Sequence, residues 1–133
     1  MEFTVTFSGK KQVIAHVGEH SILTDQPAYA GGENEGPSPF SLFLASIGTC
    51  AGIYVKSFCD QRGIASENIR IIQKHNFNPI THMIEDIELS IELPESFPEK
   101  YKDAVIKAAD QCAVKKHFLN PPEINVITSR SLN

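Results

Sequence analysis

Ser38-Pro39-Phe40-Ser41-Leu42-Phe43-Leu44-Ala45-Ser46-Ile47-Gly48-Thr49-Cys50, continuing through Ile53-Tyr54-Val55 to Gln61-Arg62-Gly63, is the stretch whose reading decides the fold. Ser38 offers a side-chain N-cap, and Pro39 stands at the first helical position, where its missing N–H costs no bond. Gly63 suits the left-handed residue that closes a helix, with Ile64 placed to fold apolar contact back. The reading is one long helix from Pro39 to Gln61 or Arg62. Leu42, Phe43, Leu44, Ile47, Cys50, Ile53, Tyr54 and Val55 fall at nearly every azimuth, so this helix is expected to be surrounded by protein. Its most apolar part, Phe40 to Val55, is interrupted by Ser41, Ser46, Gly48 and Thr49 and falls short of the ~20 residues that span a bilayer. It reads as a core helix and not as an anchor.

Upstream, Phe3 to Phe7 alternates apolar and polar, Ser8-Gly9-Lys10 makes a turn into Gln12 to Val17, and Gly18-Glu19 leads to Ser21 to Thr24. An antiparallel meander is expected, followed by a loop from Asp25 to Gly36. Downstream, strands at about Ile69 to Phe77 and Met83 to Leu93 flank the turn Asn78-Pro79, with Glu85, Asp86, Glu88 and Glu92 mostly toward solvent. The capping-box pattern Ser96-x-x-Glu99 opens a second helix with the stripe Tyr101, Ala104, Val105, Ala108 and Cys112, stopped by Asn120-Pro121-Pro122. Ile124, Val126 and Thr128 suggest a last strand. The fold class is α+β, and residues 1–133 read as a single domain with no repeat and no linker.

The chain has 133 residues, about one domain on the usual scale of roughly 100–200 residues. Hydrophobic residues make up 41% without counting the 8 Gly, and charged residues 21%, which excludes disordered and collagen-like chains. At this size the core is modest, and a dimer that extends it fits. With 12 Lys+Arg against 16 Asp+Glu, the net charge of −4 opposes phosphate neutralisation, so no nucleic acid and no anionic membrane is expected as a partner. The opening residues lack a basic stretch followed by an apolar one, and a cytoplasmic protein is expected.

Three cysteines with no CxxC make no disulfide framework, redox motif or zinc ribbon. They are either buried apolar residues or chemistry. Cys50 and Cys59, nine residues apart on one helix, lie on roughly opposite faces and about 13 Å apart along the axis, so they cannot pair. Cys112 belongs to the inward stripe of the second helix. If that helix packs on the central one, Cys50 and Cys112 could come within the ~4.4–6.8 Å Cα separation of a disulfide. Cys59, in the last turn where the negative helix end disfavours a thiolate, reads as structural. His16, His20, His75, His82 and His117 have no convergent spacing, so no metal site is expected. The Gly31-to-Pro37 loop lacks Gly-Lys-Ser/Thr, and Glu33 and Glu35 would repel phosphate, so it reads as an interface or lid loop.

The loop Gly31-Gly32-Glu33-Asn34-Glu35-Gly36-Pro37-Ser38-Pro39, the helix Leu42 to Cys50, and the later Cys112-Ala113-Val114 together resemble the signature of the OsmC/Ohr family, whose second cysteine motif usually reads Cys-Pro-Val. The resemblance covers nearly the whole chain. It implies an intertwined homodimer with its active site at the subunit interface, and thiol-dependent reduction of organic hydroperoxides. Cys50 would be the peroxidatic cysteine and Cys112 the resolving one. An external dithiol, a lipoylated protein or a small molecule, would reopen the disulfide, with no cofactor and no metal.

The chain also departs from the family near the start of the central helix. Where the peroxidases carry a glutamate that orients an arginine beside the cysteine, it has Phe40 and Ser41, and no arginine precedes Arg62. Mid-helix and buried, Cys50 then needs a cation from outside its own helix. Lys10 or Lys11 could supply it, with Glu33 or Glu35 orienting. The alternative for these four is a solvated turn and a flexible acidic loop. Two other functions remain: a non-catalytic dimer that binds a small apolar ligand, and a cysteine-based reaction such as acyl transfer, for which no base or oxyanion hole is evident.

Overall fold

The computed structural model describes residues 1–130 and divides into two compact units, Met1–Thr49 and Cys50–Asn133. In the first unit, β1 (Thr4–Phe7), β2 (Val13–Val17) and β3 (His20–Thr24) form an antiparallel sheet in the order β1-β2-β3, with Phe7 opposite Val13 and Val13 opposite Thr24. The expected meander is present. His16 ties the three strands together through its two ring nitrogens, 2.9 Å from Thr6 Oγ1 and 3.0 Å from Ser21 Oγ.

The loop that follows is organised by a residue the sequence reading passed over. Asp25 is 0% exposed. Its carboxylate accepts the backbone N–H groups of Gln26 at 2.7 Å, Glu35 at 3.2 Å and Glu33 at 3.3 Å. Burial pushes this carboxyl up, but those N–H groups and the Gln12 side chain outweigh it and hold it below its ordinary value. A buried charge is tolerated because every donor around it faces inward. The loop is also pinned from outside by Lys10–Glu33 at 3.7 Å and by the Gln12 amide donating to Glu35 at 2.6 Å. It is ordered rather than slack.

Helix α1 (Pro39–Gln61) has the expected bounds. The Ser41 N–H donates to Ser38 Oγ at 3.2 Å, the side-chain cap at its start. At its end Gly63 has φ 64°, the Ile64 N–H donates to the Cys59 carbonyl at 2.9 Å and the Gly63 N–H to the Asp60 carbonyl at 3.3 Å, a Schellman closure. The expectation that α1 is surrounded on all sides is not met within one chain. Ile47, Ala51, Val55, Phe58 and Cys59 form its buried stripe, while Phe40, Phe43 and Ile53 stay exposed. By length and hydropathy alone α1 could cross a bilayer.

The second unit contains the hairpin β4 (Arg70–Asn78) and β5 (Met83–Glu92), with a bulge at Asn76/Phe77. Asp86, Glu88 and Glu92 are exposed on one face, as alternation requires, and Glu85 is exposed beside Asp86 because the bulge falls there. Its core joins Val55, Phe58, Cys59, Phe97 and Val105, flanked by Ile71, Ile91, Leu93 and Tyr101. The Arg62 guanidinium lies 3.7 Å from the centroid of the Phe58 ring and donates to the Phe58 carbonyl at 3.1 Å, closing the core's edge.

Two expectations are corrected here. The second helix is not continuous, and its capping box does not form. Pro98, extended at φ −61° and ψ 121°, cannot lie inside a helical turn, so a short 3-10 turn at Glu99–Tyr101 begins after it without a side-chain cap. It leads into α2 (Lys102–Ala109), and α3 (Ala113–Leu119) starts anew after Cys112. The last strand around Ile124, Val126 and Thr128 is also absent among the described residues, where 121–130 carry no regular structure. A strand needs a partner for its N–H and C=O groups, and the described chain offers this segment none.

The Asp25 loop yields a direct test. A Cβ on Gly32 would overlap the Gln26 carbonyl and come 2.7 Å from Asp25 Oδ1. Gly32→Ala therefore costs about 1–3 kcal/mol, the usual penalty of overpacking, read as a lower midpoint in urea unfolding, whereas Gly9→Ala, which meets nothing within 4 Å, leaves the midpoint nearly unchanged.

Candidate active site

Cys50 lies in the middle of α1, and Cys112 immediately precedes α3; both belong to the second unit. Cys112 has the extended backbone of an N-cap residue, φ −49° and ψ 124°, and its carbonyl accepts the first bond of α3 from the Lys116 N–H at 3.2 Å. The first N–H groups of a helix have no carbonyl within it to bind. At α3 two of them, from Ala113 and Val114, are directed at the Cys50 sulfur. The break between α2 and α3 thus turns backbone donors, together with the Cys112 thiol, toward Cys50. An ion pair between Asp110 and Lys115 staples the break.

The two thiols are driven apart in acidity. The Val114 N–H does most to hold Cys50 below the ordinary thiol range; burial opposes it, and the Cys112 S–H and the Ala113 N–H add to it. Burial pushes Cys112 up, Cys50 pushes the same way, and the Lys115 and Val114 N–H groups only partly offset this. Of the two sulfurs, Cys50 therefore ionises the more readily, and Cys112 holds its proton more firmly. That is the arrangement a nucleophilic thiol and a resolving thiol require. Cys112 is 2% exposed and Cys50 half-buried. Cys59 is different: wholly enclosed in the core, it is pushed up by burial and by the Asp60 carboxylate.

Lys10, Lys11, Glu33 and Glu35 all belong to the first unit. Lys10 pairs with Glu33, Glu35 accepts from Gln12, and the Lys11 stem runs beside Gly31. Their unit also holds a shallow cleft of about 510 Å³ whose lining includes Gln26, Tyr29, Asn34, Ser38 and Ser41. Next to it Phe40, at one of the positions where the glutamate was expected, stacks on Phe43 with ring centroids 5.7 Å apart. Within its own unit, the groups that lower the Cys50 thiol are peptide N–H donors and a second thiol. Sequence reasoning looked for a cation and missed them. The available signal was Cys112-Ala113-Val114 itself, since a helix beginning right after a cysteine exposes N–H donors beside that sulfur.

Proline at Ala113 isolates one of these donors. The first helical position tolerates proline, and the extended Cys112 accepts a following one. In Ala113→Pro the Cys50 thiolate titration, followed at 240 nm, moves to higher pH, and alkylation by iodoacetamide at neutral pH slows about two- to fivefold, the equivalent of ~0.5–1 kcal/mol for one hydrogen bond. In the parent protein the alkylation rate holds as pH falls below the ordinary thiol range and drops only on passing the depressed Cys50 value.

Solved structures share the fold. A Psychrobacter arcticus 273-4 protein named for the osmotic stress and detoxification response superposes with a TM-score of 0.71 at 19% identity, over 86% of this chain and 85% of that one. An OsmC like protein from Mycoplasma pneumoniae gives 0.65 at 14% identity, over 90% and 87%. An organic hydroperoxide resistance protein OsmC from Legionella pneumophila gives 0.53 at 16% identity, over 89% of each chain. No curated protein matches the sequence. The OsmC-like protein family matches residues 32–127, a span that takes in the Asp25-bound part of the loop, all of α1 and both cysteines of the site, and the chain belongs to that family.

Proposed function

We propose that this protein reduces organic hydroperoxides, with Cys50 as the attacking thiolate and Cys112 as the resolving thiol. The observation that carries the reading is the contact of two thiols at the start of α3, where the Cys112 S–H and the Val114 and Ala113 N–H groups face Cys50, an arrangement that lowers Cys50 and raises Cys112. In the first step the Cys50 thiolate attacks one peroxide oxygen, the O–O bond breaks, and an alcohol leaves after taking up a proton, so that Cys50 becomes a sulfenic acid. Cys112 then displaces hydroxide from that sulfur, water leaves, and a disulfide remains. An external dithiol restores both thiols and is itself oxidised to a disulfide. The Legionella relative's name as an organic hydroperoxide resistance protein supports this substrate class. The cytosol, where thiols are kept reduced, is the compartment that suits such a cycle.

The working form in this reading is a homodimer. Phe7, Phe40, Phe43 and Ile53 are among the apolar side chains left uncovered, and so are Ile124, Val126 and Ile127 in the strand-like segment that has no strand to pair with. A second copy would cover the first set and pair with the last. The exposed Phe40–Phe43 stack favours one other reading, a dimer that binds a small apolar ligand at that end of α1 without turnover.

One equivalent of cumene hydroperoxide added to the reduced protein separates them. The expected product is a Cys50–Cys112 disulfide, mapped by mass spectrometry, formed far faster than free cysteine is oxidised. Cys50→Ser abolishes it, and Cys112→Ser stops at a sulfenic acid that dimedone traps. Thiols that react no faster than free cysteine sink the peroxidase reading and leave the ligand-binding one. Sedimentation should give a species of twice the 14.7 kDa chain mass, and a monomer at micromolar concentration would refute the dimer.

A further inference from the structure

We infer that the external dithiol attacks Cys50 and expels Cys112, so that the mixed disulfide of the reductive half-cycle forms on Cys50. The inference rests on the disulfide cycle proposed above and adds which of its two sulfurs the reductant meets.

Thiol–disulfide exchange runs in line: attacking, attacked and leaving sulfur are collinear, and access to the attacked sulfur enters the rate directly. To attack Cys112, a reductant has to arrive from the side of that sulfur facing away from Cys50. Cys112 is 2% exposed, enclosed at the break between α2 and α3 by residues of its own chain. A partner subunit can add cover there but cannot take any away. Cys50 is half-buried, and any peroxide cycle requires that substrate reach it. The approach open to a peroxide oxygen is then open to a thiolate.

Acidity pulls the other way. Cys50, the more acidic sulfur, is the better leaving group, and on that ground alone attack would fall on Cys112. The two preferences are opposed, which makes the position of the adduct diagnostic. Enclosure decides, because a sulfur that cannot be approached in line is not attacked whatever its leaving partner. The Lys115 and Val114 N–H groups face Cys112 and receive the charge as it leaves.

The bonds balance. One thiolate of the dithiol forms a bond to Cys50 Sγ while the Cys50–Cys112 bond breaks; Cys112 departs with the electron pair and takes up a proton. The second thiol of the reductant loses its proton and attacks the reductant's own sulfur in the mixed disulfide, which expels Cys50 as a thiolate. The dithiol has lost two electrons and closed into a ring, and the protein disulfide has gained them. A monothiol has no second step of its own, and its adduct on Cys50 lies beside Cys112, which returns and displaces it.

The test uses the full chain, with its disulfide closed by diamide so that no peroxide chemistry is involved. Glutathione is added, samples are quenched in acid over a time series, the thiols are blocked, and the peptides are mapped by mass spectrometry. The earliest adduct is expected on Cys50, at least about tenfold over Cys112, and the preference should vanish when the same exchange is run in guanidinium. An early adduct on Cys112, equal amounts on both, or a preference that survives unfolding overturns the inference while the cycle stands. A protein that diamide cannot close into Cys50–Cys112 loses the cycle and this inference with it.

Discussion

The interruption of the second helical segment at Asp110–Cys112 is the constraint on which the arrangement around Cys50 depends. Had the segment run on unbroken from Lys102 to Leu119, the amides of Ala113 and Val114 would have been consumed by carbonyls one turn back. Because Cys112 is extended, α3 begins afresh, and those N–H groups are available to the sulfur of Cys50. A thiol mid-helix gains little from its own helix dipole and loses by burial. Its acidity has to come from another element, and the peptide N–H groups of Ala113 and Val114 contribute to it. Peptide donors are held by the backbone, cost no side-chain entropy, and need no desolvated counter-charge.

The same device appears at Asp25 in the other unit. A carboxylate sealed from water is held ionised by three backbone N–H groups and an amide side chain, without an ion pair of its own. Charged hydrogen bonds of this kind are the stronger ones. The two sites share a logic: a buried anion or incipient anion is satisfied by amides from a segment that has just left regular structure. At Asp25 the result is an ordered loop into α1, and at Cys50 a poised thiol.

Much of this was legible in the sequence, and the failures have a common cause. The bounds of α1 could be read because its signals are local: the Ser38 hydroxyl, the Pro39 ring and the left-handed Gly63 act on their own neighbours. The alternation of β5 was legible for the same reason. The break before α3 was not, because Asp110, Gln111 and Cys112 include neither proline nor glycine and continue the three-and-four spacing across the gap. Asp25 looked like any acidic residue in a polar loop; its donors are set by a turn that only the folded chain closes. Cys50 and Cys112 could be singled out through their motifs, but the N–H donors beside Cys50 escaped notice since a backbone N–H is common to every residue except proline. The pattern of Ile124 and Val126 has no strand partner within the described chain, which no local rule could reveal.

The sealed carboxylate of Asp25 also sets how the chain meets acid. Its folded-state acidity is greater than the ordinary 3.8 of an aspartate, so its contribution to stability is complete above that value and fades only as pH falls through the lower, folded one. The loop that leads into α1 therefore keeps its shape down to pH values below the ordinary aspartate range. Proton uptake at Asp25 belongs to acid unfolding.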